Sequence, residues 1–428
     1  MVAFRIAFGL CAALVAARFV ARGWVGRLYL DPTYHFTYPS LGWVRPLAPW
    51  AMYGGYGLMV MAGLALAVGW HHRWAAAVFT VCFAYAEAID VTTYLNHYEL
   101  VTLMGVLCCV LPIPGRRGRR GRQTVDRWVV WVLRFQLAVV YVFAGIGKVD
   151  VQWLLHGEPL HTWLRGRSDL PLVGGWLGEP GLAVALSIAG AVFDLSIVGF
   201  LLWRRSRPWA YVAVIGFHLI TGWLFPGIGA FPLVMIALTP IFFAPDWPQR
   251  VGARLGRVAV VRPDPVRDGR IERRPTKLVA VGVGLWVLVQ LVVPLRHLAY
   301  PGDVRWTEEG YRWSWRVLLT EKEGLATFTL RDPADGATQR IYPGDELAPH
   351  QVRYMATRPD LIRQYARHLA DEAEAEGWAR PRVTAEVWVT MNGRPRQLLI
   401  DPEADLAAEG TGLGASPSIL PSPGEGDG

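Results

Sequence analysis

The sequence predicts an α-helical polytopic membrane domain of about nine spans, followed by a C-terminal α+β extracytoplasmic domain. Hydrophobic residues make up 53% of the 428 residues and charged residues 18%, which is more apolar and less charged than soluble domains of this size. The apolar runs fill residues 1–299 and thin out afterwards. Twenty tryptophans and fifteen tyrosines fit the aromatic belts at the two interfaces of a bilayer.

A helix needs about 20 mostly apolar residues to cross a bilayer, and nine stretches approach that length. We interpret the first as a span and not as a signal peptide, because no small-residue cleavage site followed by a soluble domain comes after it. The fourth and eighth stretches are short or contain proline. The nine predicted spans lie near residues 4–22, 50–70, 74–93, 98–114, 128–149, 180–203, 208–225, 227–244 and 276–299.

Arginine-rich loops predict the orientation. They lie at residues 116–122, 204–207 and 244–276, and counting spans places all three on one side, which the positive-inside rule makes cytoplasmic. The net charge of +8 is therefore a topology signal, and we expect no nucleic-acid partner. The whole chain after residue 300 is predicted to be extracytoplasmic, and Lys148 and His97 then lie on that outer side at similar depth.

Residues 300–405 are predicted to form a small α+β domain outside the membrane. Residues 327–330 and 383–390 alternate in the manner of strands. Residues 359–376 have helical spacing that places Leu361, Tyr365 and Leu369 on one face. Residues 406–428 are rich in glycine, serine, proline and acids, which predicts a disordered tail.

Lys148 ends the fifth predicted span and is one of only three lysines among 43 basic residues. Burial readily removes the proton of lysine but not of arginine, so a lysine in this arginine-rich chain indicates a role for a neutral amine. The small residues Ala144 to Gly147 would let a helix or a flat ligand approach the backbone. The alternatives are a snorkelling lysine and one held charged by Asp150.

Other polar or ionisable side chains lie at membrane depth, where they are costly and are functional candidates. Hydrogen bonding between helices is the alternative explanation for each. They are Glu87, Asp90, Asn96, His97, Asp194 and His218. Because the four cysteines all lie in apolar runs, no disulfide framework or zinc site can be built from their spacings, and we expect no metal.

In order along the chain, these residues resemble the vitamin K-dependent gamma-glutamyl carboxylase family, as a bacterial homologue with an HTTM-type membrane domain. The strongest match runs from Tyr141 to Trp153 and contains Lys148-Val-Asp150-Val-Gln-Trp153, where the family has Lys-Leu-Asp-x-x-Trp. The shorter matches are Asp90 through Asn96-His97, Asp194-Leu-Ser, Phe217-His218 through Pro240-Ile-Phe, Trp306-Thr307 through Tyr311-Arg-Trp-Ser314-Trp315, Ile362-Arg-Gln-Tyr365-Ala, and Val387-Trp388-Val through Asp401-Pro402. The resemblance covers about residues 15–405 in collinear order.

The resemblance implies an enzyme of the carbon–carbon lyase class that uses reduced vitamin K (phylloquinol or menaquinol), O2 and CO2. The lysine that matches Lys148 is the base that deprotonates the hydroquinone. Oxygenation of the hydroquinone to an epoxide then drives γ-carboxylation of glutamate, a step that the histidine matching His97 supports. The substrate-binding candidates are Asn96, Asp150, Trp153, His218, Tyr311 and Trp315. The implied partners are a lipid quinone in a bacterial cytoplasmic (inner) membrane and a glutamate-containing peptide or protein that is exported.

The chain also departs from the family pattern. Gly147 stands where the family has the second lysine of a pair, and Thr320 stands where a histidine follows the tryptophan segment. The large extension through which the animal enzymes recognise propeptides has no match here, nor do the cysteines of their disulfide. The alternatives are therefore a quinol epoxidase without protein carboxylation, a non-enzymatic membrane scaffold or receptor, and a quinone-binding transporter.

Overall fold

The computed structural model describes residues 1–115, 125–244, 247–254, 256, 274–410 and 414–422 of the chain. Two of the three arginine-rich loops, at 116–122 and over most of 244–276, lie outside the described residues. Helices dominate the first 299 residues, because a backbone in lipid must satisfy its hydrogen bonds internally. They are α1 (Val2–Ala21), α2 (Pro49–Val68), α3 (His72–Ile89), α4 (Asn96–Val110), α5 (Arg127–Gly147), α6 (Val151–Leu154), α7 (Leu160–Arg165), α8 (Gly174–Leu177), α9 (Pro180–Leu202), α10 (Arg207–Leu224), α11 (Phe231–Leu238), α12 (Trp247–Arg254) and α13 (Lys277–Val292).

Five helices in the described part of the chain are long and apolar enough to cross a membrane, which makes this a multi-pass membrane protein. They are Val2–Ala21, Pro49–Val68, Arg127–Gly147, Pro180–Leu202 and Lys277–Ala299, and the bent pair Phe231–Phe242 and Trp247–Ala253 would make a sixth. The nine predicted spans are not confirmed. Helices α3, α4 and α10 lie where spans were predicted, but α4 has only 15 residues. Charged or imidazole side chains lower the hydropathy of α3 and α10.

Small residues bring α1 and α2 into backbone contact. A Cβ atom on Gly9 would lie 2.5 Å from the backbone nitrogen of Ala67, and one on Gly63 would lie 2.7 Å from that of Ala13. Only glycine fits at both positions, because a side chain there would push the two backbones apart. This close approach is the mode of helix packing that small residues allow in membranes.

The C-terminal domain contains a four-stranded antiparallel sheet in the order β2-β1-β3-β4. Its strands are β1 (Lys322–Arg331), β2 (Thr338–Ile341), β3 (Arg382–Met391) and β4 (Gln397–Leu398), and its helices are α14 (Val304–Thr307), α15 (Pro349–Met355) and α16 (Pro359–Ala375). Both predicted strands are parts of β1 and β3, and α16 coincides with the predicted helix. Leu361, Tyr365 and Leu369 of α16 are buried in the same cluster as Phe328 of β1.

Part of the tail predicted to be disordered is packed against this domain. Ile419 forms a β-bridge with Ile400, and the indole nitrogen of Trp306 donates to the carbonyl of Leu420 at 2.8 Å. Ser416 and Ser418 are buried and their hydroxyls lie 3.1 Å apart. The prediction of disorder therefore does not hold for the described tail residues. Their contacts with the C-terminal domain stabilise an ordered conformation although the composition favours disorder.

Asp90, one of the ionisable side chains that the sequence places at membrane depth, lies at the junction of the two domains. Its carboxylate accepts hydrogen bonds from Thr92 N at 2.8 Å and from Gln351 Nε2 of α15 at 2.7 Å. His35 Nδ1 lies 3.3 Å from the same carboxylate. These partners offset the cost of burying the charge, and they join the membrane domain to the C-terminal domain.

Candidate active site

Lys148 follows the last turn of α5 and lies inside the membrane domain. Its Nζ donates to Asp194 Oδ2 of α9 at 2.7 Å and lies 5.2 Å from the centre of the Trp153 ring. Lys148 is 5% exposed and Asp194 is 4% exposed. Two buried charges of opposite sign stabilise each other, and either one alone would be costly. Lys148 is therefore an interior group and not a snorkelling side chain.

Asp150 pairs with Arg305 and not with Lys148, so the alternative in which Asp150 holds Lys148 charged does not hold. The chain leaves α5 in an extended conformation at Asp150, whose side chain then caps α6 by accepting from Gln152 N at 2.8 Å. The same carboxylate forms an ion pair with Arg305. Arg305 forms a second ion pair with Asp303, in which Nη2 lies 2.7 Å from Oδ2. Asp150 thus faces the C-terminal domain.

The glycines that precede Lys148 admit two close neighbours. A Cβ atom on Gly145 would lie 3.0 Å from the backbone nitrogen of Leu195 in α9, and one on Gly147 would lie 2.6 Å from Cδ1 of Leu319. The first contact brings Asp194 within reach of Lys148. The second seats the C-terminal domain against the end of α5.

A cavity of about 320 Å³ adjoins Lys148 and Asp194. Most of its lining is apolar, and it includes the side chains of Trp153, Phe193, Phe217, Ile220, Leu224 and Phe231. The indole nitrogen of Trp153 donates to the carbonyl of Ser187 at 2.7 Å, which holds the ring in place. Apolar walls with a few placed polar groups are typical of sites for small apolar ligands.

Besides Lys148 and Asp194, the cavity has a second pair of polar side chains, Tyr141 and His218. The Tyr141 hydroxyl lies 3.1 Å from His218 Nε2, and His218 is only 1% exposed. The other ring nitrogen, Nδ1, is buried without a partner in the described part of the chain. A buried polar atom without a partner is costly, and the contact with Tyr141 is the side-chain hydrogen bond that the structure gives His218.

Residues 308–320, here called the strap, close the cavity from the C-terminal domain. Val317 and Leu318 line the cavity directly. Trp313, Trp315 and Leu318 have positive φ angles. This conformation is costly for residues other than glycine, and such backbone strain clusters at functional sites. Trp315 is fully buried in the core of the membrane domain.

Tyr311 and Trp315, which the sequence predicts to bind substrate, belong to the strap but do not line the cavity. Burial raises the pKa of Tyr311 to about 12, and the negative charge of Glu308 adds to this effect. Trp315 instead anchors the strap in the membrane domain, which positions Val317 and Leu318. The two residues thus lie behind the cavity wall.

His97 and Asn96 also lie outside the cavity lining. Phe231 lines the cavity, and the centre of its ring is 6.2 Å from that of His97 and 5.7 Å from that of His218. His97 is 3% exposed, and its Nε2 has no partner among the described residues. Asn96 accepts from the Tyr94 hydroxyl at 3.0 Å and donates to the Arg316 carbonyl of the strap at 3.4 Å.

The structure thus brings Lys148, Trp153 and His218 together. It adds Asp194, which the sequence indicated only as an ionisable group at membrane depth, and Tyr141, which sequence reasoning did not select. The sequence carried a signal for Asp194, because an acid in an apolar helix needs a partner of opposite charge. Tyr141 carried no such signal, since a tyrosine in an aromatic-rich span is unremarkable.

Comparison with known protein families gives two matches that together span most of the chain. A family model described as HTTM domain matches residues 1–247. A second, described as vitamin K-dependent gamma-carboxylase, lumenal domain, matches residues 275–425. No solved structure matches the chain. The first match covers the helical region that holds Lys148 and its cavity, and the second covers the strap and the sheet.

Proposed function

The chain belongs to the family of HTTM-domain proteins and carries the lumenal domain of the vitamin K-dependent gamma-carboxylases, and on this premise we propose that Lys148 is the base of a quinol-dependent carboxylase. The two domains imply an enzyme of gamma-carboxylase type. The proposed reaction is the γ-carboxylation of glutamate in an exported peptide, with reduced vitamin K, O2 and CO2 as co-substrates. The ion pair of Lys148 and Asp194 at the wall of an apolar cavity carries the proposal.

The cavity suits a flat aromatic quinol. Trp153, Phe193 and Phe231 supply ring faces, against which an aromatic ligand packs favourably. The two hydroxyl groups of a quinol need polar partners, and the Lys148 amine and the hydrogen-bonded pair of Tyr141 and His218 are such groups. When bound, reduced vitamin K with O2 supplies the strong base that removes a γ-proton from glutamate, after which CO2 adds.

Lys148 and Asp194 share the task of accepting the quinol proton. The two side chains lie 2.7 Å apart, so the accepted proton belongs to the pair as a whole. The Lys148 cation then lies beside the newly formed anion and stabilises it in a site from which water is excluded. Asp194 holds the amine in position, while Trp153 packs over it.

The proposed topology keeps the nine predicted crossings and places the C-terminal domain outside the cytoplasm of a bacterium. A helix lies at each of the nine predicted places, which supports this topology. A lipid quinone would then reach the cavity from the bilayer, and a peptide would approach from the side of the C-terminal domain. This arrangement supplies both substrates to one site.

The test uses purified protein with reduced vitamin K, O2 and labelled bicarbonate. We expect wild type to form the epoxide and Lys148→Ala to lose about 100-fold or more of that rate, which is the size of a general-base contribution. The matched control is Lys277→Ala, which removes an exposed lysine at the start of α13. No epoxide in wild type, or equal rates in wild type and Lys148→Ala, would contradict the proposal.

The same assay with a glutamyl peptide separates the two enzymatic versions. Label in the peptide supports carboxylation, with His97 acting in that half of the reaction. Epoxide without label would leave a quinol epoxidase. If neither epoxide nor labelled peptide forms, the result favours the non-enzymatic scaffold.

A further inference from the structure

We propose that Glu346, His368 and Glu372 bind a zinc ion at the surface of the C-terminal domain. His368 and Glu372 lie one turn apart on α16, and Glu346 comes from the segment after β2. One donor atom from each side chain lies within 4.8 Å of the other two. The inference does not rest on the proposed function, because none of the three side chains lines the cavity beside Lys148.

The ligand set is one imidazole and two carboxylates. Zinc is bound through histidine nitrogen and carboxylate oxygen, and a site with three protein ligands keeps a fourth position for water. The imidazole favours zinc over calcium and magnesium, which prefer oxygen ligands alone. The expectation that the chain binds no metal rested on the spacing of its cysteines, which are not the ligands of this site.

The distances between the donor atoms are close to those of a tetrahedral zinc site. Bonds of about 2.0–2.1 Å at tetrahedral angles place two ligand atoms about 3.3 Å apart. His368 Nε2 lies 3.5 Å from Glu372 Oε1 and 2.7 Å from Glu346 Oε1. The first distance fits as it stands. The second widens by about 0.6 Å when a zinc ion replaces the proton between the two side chains.

Neighbouring side chains hold two of the three ligands in place. The Tyr365 hydroxyl donates to Glu346 Oε2 at 2.8 Å, which leaves Glu346 Oε1 to face His368. The ring of Tyr34 stacks on the His368 imidazole with the two centres 4.2 Å apart. Contacts of this kind orient metal ligands and raise the affinity of the site.

A cleft of about 560 Å³ gives a metal ion room and access from solvent. All three ligands line this cleft, and their exposed side-chain fractions run from 21% for His368 to 57% for Glu372. Asp345 lines it as a third acid, against one arginine, Arg340. The charge of the cleft therefore favours a cation.

The experiment titrates Zn²⁺ into purified full-length protein that carries no histidine tag and has been stripped with EDTA. A competing fluorescent zinc indicator reports the free ion. We expect Glu372→Gln to bind zinc at least about tenfold more weakly than wild type, because even the contacts behind a metal ligand carry that much affinity. The matched control is Glu374→Gln, which removes the same charge from an exposed position of α16 outside the cleft and should bind as wild type does.

A thermal arm uses the same samples. We expect Zn²⁺ to raise the melting temperature of wild type further as its concentration rises, because the assembled site exists only in the folded protein. The same concentrations should leave Glu372→Gln and Glu346→Gln nearly unshifted, and equimolar Ca²⁺ should not displace the zinc.

Three results would overturn the inference. The first is a wild type that binds no zinc, and the second is equal zinc affinity in wild type, Glu372→Gln and Glu346→Gln. The third is displacement of zinc by equimolar Ca²⁺. None of these results bears on epoxide formation, so the zinc site and the proposed function stand or fall separately.

Discussion

Lys148 and Asp194, the pair that we propose carries the chemistry of this protein, come from α5 and α9. Each is buried, and they lie 2.7 Å apart. In lipid, an isolated charge is expensive and a paired one is tolerated. Removing one charge should therefore lower the stability of the protein and change the reactivity of the side chain that remains.

We expect Asp194→Asn to lower epoxide formation by about 100-fold, because asparagine keeps a hydrogen-bonding oxygen near Lys148 but cannot share its proton or balance its charge. Loss of the counter-charge should also lower the melting temperature of the protein in detergent. The control is Ser196→Ala in the same helix, whose hydroxyl donates only to Val192 O within α9. A fully active Asp194→Asn protein would show that the pair is structural.

The partner of Lys148 was beyond sequence reasoning for a physical reason. Asp150 is the near neighbour along the chain, yet its extended backbone turns it towards Arg305. Asp194 is distant in sequence, and its approach depends on Gly145 admitting α9. Sequence identifies which groups need partners, whereas helix packing decides which partners meet.

At the scale of elements, the sequence predicted the places of the helices and both long strands better than the number of spans. Apolar length and alternation are local properties, so α5, α9, β1 and β3 were predictable. The length of the eighth predicted span was not, because α11 ends at Leu238 and a 3-10 turn that contains Pro240 follows it. The packed tail depends on contacts with Ile400 and Trp306 that composition does not contain.

Helix α16 is tied to the segment after β2 by an ion pair that depends on pH. His368 Nε2 lies 2.7 Å from Glu346 Oε1, and the Tyr34 ring stacks on the imidazole at 4.2 Å. Burial alone would lower the pKa of His368, but its hydrogen bond to Glu346 and the nearby acids raise it above its ordinary value. The same hydrogen bond holds the pKa of Glu346 below its ordinary value.

We expect His368→Gln to lower the melting temperature most between about pH 5 and 6.5, where both partners are charged in the folded protein. The difference from wild type should shrink as pH rises through the raised pKa of folded His368. It should also shrink as pH falls through the lowered pKa of folded Glu346. His156→Gln, a substitution at an exposed histidine, is the control. A difference independent of pH would show that packing with Tyr34, and not charge, stabilises this contact.

At the scale of the whole molecule, the two domains share buried polar contacts and a common cavity. Gln351 Nε2 donates both to Asp90 and to the carbonyl of Tyr34, each at 2.7 Å. The strap supplies Val317 and Leu318 to a cavity whose proposed base, Lys148, is in the membrane domain. Such shared contacts should make the two domains unfold together.

We expect Gln351→Ala to cost about 1–3 kcal/mol, because Asp90 and the Tyr34 carbonyl each lose a buried donor. The melting temperature should fall by several degrees, and the transitions of the two domains should separate in differential scanning calorimetry. Gln339→Ala on exposed β2 should leave both unchanged. A single unshifted transition in Gln351→Ala would mean that this junction contributes little to the coupling.

The strap also determines when the cavity can exist during synthesis. Lys148 and Asp194 leave the ribosome long before Val317, Leu318 and Leu319, which form the cavity wall and the contact with Gly147. A partly made chain in the membrane therefore has its reactive pair but lacks one wall around it. The proposed oxygenation, which must be shielded from water, has to wait until the C-terminal domain has folded, so the cavity wall is complete only when the whole chain has been made.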